Sequence, residues 1–201
     1  MPASTAAPRD LNKNGKIDVY EDPTRPINER VEDLLSQMTL EEKAGLMFHN
    51  ILPVGMDGNL VEGNTMFGPT STAALVRDQY LNHFNVHALP DPRLAAEWHN
   101  KLQALAESTR LGIPVTISSD PRHAFSHNPG AGFAAGTMSQ WPEPIGFGAI
   151  ADEAVVAGFA EIARQEYLAL GIRVALHPMA DLATEPRWGR INGTFGEDAA
   201  L

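Results

Sequence analysis

The residues best suited to chemistry lie together between Leu176 and Asp198, directly after a short apolar run. Charged and aromatic side chains crowd this segment around glycines, namely Asp181, Glu185, Arg187, Trp188, Arg190, Glu197 and Asp198. A guanidinium presents a rigid fork of donors, carboxylates accept hydrogen bonds in pairs, and an indole offers a flat apolar face. Together these groups suit a ligand rich in hydroxyl groups. The segment therefore predicts a polar site and not a part of the core.

A second candidate residue, Asp120, ends the apolar run from Val115, which predicts a short buried strand. Barrel enzymes keep their working residues at the C-terminal ends of strands, although an acid in a simple turn is the alternative. Asp120 can accept from two neighbouring hydroxyls while Arg190 donates to another, which is the geometry that sugars present. Further candidates for the same pocket are Trp141 or Trp188, His123 and Arg187.

Two other interpretations of the arginines deserve comparison with a sugar site. A phosphate ligand would need more cations and a glycine-rich cradle, which the segment lacks. Alternatively, Arg187 and Arg190 pair with Glu197 and Asp198 and only hold the loop in place. The sequence alone leaves the sugar site and the loop-holding role open.

The stretch from Asp10 to Glu21 fits the calcium-loop pattern. Oxygen-bearing side chains fall at loop positions 1, 3, 5, 9 and 12, and Gly15 falls at position 6, where the turn is sharp. The predicted ligand residues are Asp10, Asn12, Asn14, Lys16, Asp18 and Glu21. Only three carboxylates are among them, so we expect a structural ion of modest affinity. The alternative is an Asx-rich turn that presents the next helix.

These candidate residues must be positioned by alternating helices and strands. Helical periodicity and capping signals predict helices over Pro26 to Met38, from Thr39 onward, from Asp91 to Gly112 and from Asp152 to Gly171. Strands are predicted over Val115 to Asp120 and Arg173 to Leu176. Loops are expected over Leu52 to Asn85, apart from a short helical piece near Ala73 to Asn82. The alternation implies an α/β fold with a parallel sheet or barrel.

The predicted fold is the N-terminal portion of a TIM-type (β/α)8 barrel, truncated. A complete barrel takes about 250 residues, and the chain has 201. The stretch Glu197 to Leu201 resembles a helix cut off in its first turn. Residues 1–25 form a predicted N-terminal extension with the calcium-loop-like turn, and residues 26–201 form an incomplete barrel domain.

Composition and charge exclude several classes of function. The net charge of -10 argues against nucleic acid and anionic membrane surfaces as partners, because both need a basic protein surface. No apolar run approaches the roughly 20 residues of a membrane span. Cysteine is absent, which removes disulfides and thiol nucleophiles. The first nine residues lack the apolar segment of a secretory signal, so we expect either a cytoplasmic protein or one whose signal was removed.

Three motifs resemble family 3 glycoside hydrolases, the β-glucosidase and β-xylosidase group. They are Glu185-Pro186-Arg187-Trp188-Gly189-Arg190 with Phe195-Gly196-Glu197-Asp198, Met38-Thr39-Leu40-Glu41-Glu42-Lys43, and Trp141-Pro142-Glu143-Pro144-Ile145-Gly146. The resemblance runs from about Asp10 to the last residue. It implies an exo-acting, retaining β-glycosidase, most similar to a β-glucosidase, with β-xylosidase and β-N-acetylglucosaminidase open. The expected partners are β-linked oligosaccharides or aryl and alkyl glycosides, with no cofactor required for catalysis.

By position in the family motifs, the resemblance assigns Asp120 and Arg190 to the hydroxyls of the nonreducing-end sugar. After Asp120 many members read Ala-Val-His-Gly, whereas this chain has Pro121-Arg122-His123-Ala124, so the role of His123 stays open. The family nucleophile lies in a motif resembling Ser-Asp-Trp, which this sequence lacks. The nucleophile and the acid/base are therefore expected beyond Leu201, and the chain alone is expected to be inactive.

A second class of function fits the same sequence. A calcium-dependent carbohydrate-binding or scaffold module without catalysis would use the Asp10 to Glu21 loop and would need no nucleophile. That interpretation predicts calcium-dependent sugar binding, whereas the enzyme interpretation predicts activity only in a longer chain. The resemblance also suggests a secreted or periplasmic protein, and neither the compartment nor the oligomeric state follows from the sequence.

Overall fold

The computed structural model describes residues 7–63, 68–119, 123–125, 136 and 138–200. Its helices are α1 (Ile27–Gln37), α2 (Leu40–Leu46), α3 (Thr72–Arg77), α4 (Pro92–Glu107), α5 (Pro144–Ile150) and α6 (Glu153–Ala169). Its strands are β1 (His49–Ile51), β2 (His83–Val86), β3 (Thr116–Ser119) and β4 (Val174–Ala175), and short 3₁₀ helices cover Val19–Glu21 and Ile191–Gly193. None of the described helices has the length and apolar character to cross a membrane.

The four strands form one parallel sheet in the order β1-β2-β3-β4. Parallel neighbours need a crossover connection, and helices occur in each of the three connections. This is the α/β arrangement with a parallel sheet that the sequence predicts. Because all strands run the same way, the loops after β3 and β4 leave from one edge of the sheet.

The core lies between one face of the sheet and α4. Phe84 and Val86 of β2 and Ile117 of β3 are buried against Trp98 and Leu102 of α4. Each such fully buried side chain stabilises the fold by roughly 1.5–3 kcal/mol. The placement of Trp98 in the core, and not at a ligand surface, agrees with its helical spacing in the sequence.

The opposite face of the same strands is polar. His49 Nε2 lies 2.7 Å from Ser118 Oγ, and Ser118 Oγ donates to Asn85 Oδ1 at 2.8 Å. Side chains alternate between the two faces of a strand, so β2 and β3 present apolar residues to α4 and polar residues to the other side.

Capping residues in the sequence correctly predict where three helices begin. Asp91 accepts from Arg93 N at the start of α4, and Asp152 accepts from the first amides of α6. Thr39 and Glu42 form the predicted capping box of α2. Each cap contributes about 1 kcal/mol and depends only on neighbouring residues.

Several sequence predictions are wrong in the first half of the chain. The sequence predicts no strand at β1 and loops over most of β2, because polar residues on one face of these strands interrupt the apolar runs. The short helix is Thr72–Arg77 and ends before the predicted boundary at Asn82. Helix α4 ends at Glu107 and not near Gly112.

The amphipathic stripes of two helices are more exposed than their spacing predicts. Helix α1 has no buried residue, and Ile27 is 72% exposed. On α6, whose helical spacing puts Ile162 and Ala163 on the apolar side, Ala163 is buried but Ile162 is 40% exposed. The segment Glu197 to Ala200 forms turns in the structure, not the start of a helix.

Candidate functional site

The candidate site lies at the C-terminal edge of the parallel sheet. The register pairs Ser119 of β3 with Ala175 of β4, so the two strands end side by side. Asp120 lies outside the described residues, and its role as a sugar ligand stays a prediction. The site is therefore built from the loop after β4 and the helices beneath it.

Arg190 lies in a cavity of about 550 Å³ at the end of β4. The other lining residues run from Ala175 to Asp181, so the cavity is formed by the loop that follows this strand. Arg190 is exposed and forms no ion pair within the described part of the chain. A guanidinium with this freedom can donate to ligand hydroxyls.

The backbone around Arg190 is held by short-range bonds. Gly193 N donates to the carbonyl of Arg190 at 3.0 Å, and Thr194 N donates to the carbonyl of Ile191. The Thr194 hydroxyl also donates to the Ile191 carbonyl at 2.8 Å, and its side chain is fully buried. The 3₁₀ helix Ile191–Gly193 thus fixes the position from which Arg190 reaches the cavity.

Arg187 is held by its neighbour Glu185. Its Nε and Nη2 donate to the two carboxylate oxygens of Glu185 at 2.9 and 2.8 Å. The guanidinium lowers the pKa of Glu185 to about 2. Arg187 does support the loop, as the alternative interpretation proposed, but its partner is Glu185 and not Glu197 or Asp198.

His123 is fully buried behind the site. Its backbone has φ of 58°, and its Nε2 lies 2.7 Å from Glu166 Oε2 without the direction of a normal hydrogen bond. Burial lowers the pKa of His123, and the nearby Glu166 carboxylate only partly opposes this effect. We therefore assign His123 a neutral imidazole that packs edge-on against Tyr167, with ring centroids 4.8 Å apart.

The two candidate tryptophans differ in their surroundings. Trp141 donates from Nε1 to Ser139 Oγ at 3.0 Å and packs among phenylalanine rings. Trp188 is half-buried in the turn that carries Arg187. The structure therefore brings neither indole into the Arg190 cavity.

His177 was missed by the sequence reasoning although it lines the Arg190 cavity. Its Nε2 lies 2.9 Å from the Tyr167 hydroxyl. The available signal was its position directly after the predicted strand Arg173 to Leu176. Its partner is ten residues away on α6, so no local pattern pointed to the pair.

A family model described as "Glycosyl hydrolase family 3 N terminal domain" matches residues 72–201. The chain belongs to this family. It is 50% identical over 191 residues to "Probable beta-glucosidase C" of Aspergillus oryzae, covering 94% of this chain and 30% of that protein. It is also 50% identical over 194 residues to "Periplasmic beta-glucosidase/beta-xylosidase" of Dickeya chrysanthemi, covering 96% of this chain and 29% of that protein.

A solved structure shares the fold of this family 3 chain. It is a glycoside hydrolase family 3 β-N-acetylglucosaminidase from Paenibacillus sp. str. FPU-7, with a TM-score of 0.63 at 20% identity. The match covers 81% of this chain and 28% of that one. The chain thus spans about 30% of the length of the curated relatives it matches.

The family motif near the N-terminus has a structural role in this chain. Glu42 of Met38-Thr39-Leu40-Glu41-Glu42-Lys43 accepts from Thr39 N at 2.9 Å and from Arg110 Nε at 3.0 Å. Arg110 Nη2 is in close contact with the same carboxylate. Since Arg110 lies shortly before β3, the motif ties α2 to the strand that leads to Asp120.

The calcium-loop-like turn of this family 3 chain is compact. Asp10 accepts from the backbone amides of Asn14 and Gly15 at 3.0 and 2.8 Å. The Lys16 ammonium lies 2.8 Å from Asp18, and this contact and the Asn12 amide lower the pKa of Asp18. Among the described residues, no group of three or more acidic or histidine side chains is arranged to hold a metal. Calcium binding stays a prediction.

Both carboxylate oxygens of Glu21 already accept hydrogen bonds. Oε1 accepts from the backbone of Leu11 and Asn12, and Oε2 accepts from Asp18 N at 2.8 Å. The side chain is almost fully buried. A calcium ion would therefore have to compete with these amides and with the Lys16 ammonium.

Proposed function

We propose that this chain supplies part of the nonreducing-end sugar subsite of an exo-acting β-glycosidase, foremost a β-glucosidase. The observation that carries the proposal is the exposed Arg190 in the cavity at the C-terminal end of β4. Its support comes from membership of glycosyl hydrolase family 3 and from relatives named as β-glucosidases.

In this proposal, Arg190 donates hydrogen bonds to sugar hydroxyls and Asp120 accepts from two neighbouring hydroxyls. Both residues follow adjacent parallel strands, which favours their convergence on one ligand. A charged donor to a neutral hydroxyl is worth about 1.5–3 kcal/mol. The two residues would therefore provide affinity and orientation, and not the chemical step.

The reaction we propose for the whole protein is hydrolysis with retention. It needs a carboxylate nucleophile and an acid/base about 5 Å apart, flanking the glycosidic bond. We assign neither role to a residue of this chain. Glu185 is a poor candidate because Arg187 already binds both of its oxygens.

For the substrate, we propose β-glucosides first, with β-xylosides second, since one relative is named for both sugars. The solved β-N-acetylglucosaminidase shows only the fold, so N-acetylglucosaminides remain a third choice. For the compartment, we propose secretion or a periplasmic location, because two relatives are named as periplasmic.

The test is hydrolysis of a panel of aryl β-glycosides by the longer product of the same reading frame and by residues 1–201. We expect activity in the longer protein only. We expect Arg190→Ala in the longer protein to lower kcat/KM about 10- to 100-fold, from the hydrogen-bond free energy above. Arg187→Ala is the matched control and should stay within about twofold.

Either of two results would refute the proposal. One is a longer protein that cleaves no aryl β-glycoside. The other is an Arg190→Ala variant with the kinetics of Arg187→Ala, since this would place the sugar away from the Arg190 cavity.

A further inference from the structure

Two consecutive residues on α6 face the loops of the candidate site. Glu166 and Tyr167 lie in the last turn of the helix, where Tyr167 is almost fully buried. Each makes a side-chain contact to a different loop. The end of α6 therefore connects the loop after β3 with the loop after β4.

Glu166 holds the base of the loop between β3 and α5. Its carboxylate accepts from Ser139 N at 3.0 Å and from Ser139 Oγ at 2.9 Å, and it contacts His123 Nε2 at 2.7 Å. The same two loop ends are joined by the backbone, because Trp141 N donates to the carbonyl of His123 at 2.7 Å. His123 and Ser139 are thus fixed to each other and to α6.

Tyr167 lies between His123 and His177, a residue that lines the Arg190 cavity. One side of its ring packs against the buried imidazole of His123, which restricts the ring to one orientation. Its hydroxyl lies 2.9 Å from Nε2 of His177, and the two rings are 5.8 Å apart. His177 in turn lines the cavity together with Arg190.

We infer that His177 is a sugar-contacting residue of this cavity and that Tyr167 is its positioning residue. A histidine that is to bind a particular hydroxyl must keep one ring orientation, and a hydrogen bond at one ring nitrogen provides this. The Tyr167 hydroxyl supplies that bond from a buried, packed ring. His123 packs against the Tyr167 ring, and Glu166 binds Ser139 in the neighbouring loop, so both support the position of Tyr167 without touching the sugar.

This inference rests on the proposed function, because it concerns the same cavity. The kinetics of the longer product of the reading frame are measured with aryl β-glucoside and aryl β-xyloside. Tyr167→Phe removes only the hydroxyl and keeps the ring. Its matched control is Tyr20→Phe, since Tyr20 is also buried and its hydroxyl donates to the Leu111 carbonyl at 3.0 Å, far from the site in the chain.

We expect Tyr167→Phe to raise KM about 3- to 10-fold with a smaller change in kcat, because one hydrogen bond no longer orients His177. His177→Ala should raise KM at least as much, and His177→Gln should recover part of the loss. Both tyrosine variants should lower the melting temperature by similar amounts. A purely structural effect would therefore not make their KM values differ.

The inference is wrong if Tyr167→Phe and Tyr20→Phe have the same KM within twofold, or if His177→Ala leaves KM unchanged, while the wild type cleaves glycosides. A wild-type protein that cleaves none would instead refute the proposed function, and the sugar contact of His177 with it.

Discussion

Replacing Glu42 by glutamine should destabilise the protein although it lies far from the candidate sugar cavity. The Glu42 carboxylate is 8% exposed and accepts from Thr39 N and from the guanidinium of Arg110. Glutamine keeps one oxygen, but its NH2 group would face the N–H donors of Arg110, and two donors cannot form a hydrogen bond. At least one hydrogen bond and the charge of the pair are therefore lost.

The size of the loss follows from these two contacts. Glutamine can keep the capping-box bond, because its remaining oxygen can still accept from Thr39 N, so the loss comes from the Arg110 contact. A buried pair broken on one side costs about 3–5 kcal/mol, but the Arg110 side chain is 53% exposed, which reduces its share to about 1 kcal/mol. We therefore expect a loss of about 1 kcal/mol, or a fall in melting temperature of about 2–4 °C for a chain of this length.

Urea unfolding of the wild type and Glu42→Gln measures this loss directly, with Glu41→Gln as the control. Glu41 is the exposed neighbour in the same motif, so its replacement should change the free energy of unfolding by less than about 0.5 kcal/mol. Equal stability of the two variants would refute the assigned role of Glu42.

The pH dependence of stability gives a second test of the role of Glu42. Burial raises the pKa of Glu42, but the bonds from Arg110 and Thr39 outweigh burial and lower it below its ordinary value of 4.5. A carboxyl whose pKa is lower in the folded state stabilises the fold above its unfolded pKa and loses this contribution as the pH falls. The difference between wild type and Glu42→Gln should therefore shrink below about pH 4.5. A difference that stays constant as the pH falls from about 7 through about 4.5 and below would contradict this reasoning.

Three further outcomes are expected. Gly171→Ala should destabilise the chain by about 1 kcal/mol or more in thermal unfolding, because Gly171 has φ of 80° and a Cβ there would lie 2.3 Å from the His99 ring. Burial lowers the pKa of both His99 and His123, so the unfolded state binds more protons and stability measured by urea unfolding should fall as the pH drops below about 6.5. If the Asp10 to Glu21 loop binds calcium with a Kd of about 0.1 mM, ion at about 10 mM should stabilise the chain by about 2.7 kcal/mol in a thermal melt. Asp18→Ala should remove that increment, and an unchanged melting temperature in the wild type would leave the loop as an Asx-rich turn.

The sequence predicted the second half of the fold better than the first half. Helices α4 and α6 begin at capping aspartates, and their long periodic patterns are local signals. β1 and β2 carry His49, Asn50 and Asn85, whose polar side chains hide the strands from a search for apolar runs. Their position in the sheet depends on partners far away in the chain.

The candidate site could also be predicted only in part from local sequence patterns. Arg190 was found because it stands in a dense polar motif, and the structure places it in a cavity. His177 stands alone in the sequence, and its role depends on a tyrosine of a preceding helix. The alternative in which Arg187 holds the loop is correct in kind, but it names Glu197 and Asp198 as partners, whereas the structure pairs Arg187 with the nearer Glu185. Asp120 lies outside the described residues, so its prediction is unchanged.

The exposed helix α1 implies that stability is unevenly distributed along the chain. Helix α1 buries none of its residues, whereas α4 and the sheet share the apolar core. Regions with few buried contacts open at low free energy, while the core opens only with global unfolding. The amides of α1 should therefore exchange with solvent long before those of β2. A protease would first cut near α1, and would leave the layer of α4 and strands intact behind it.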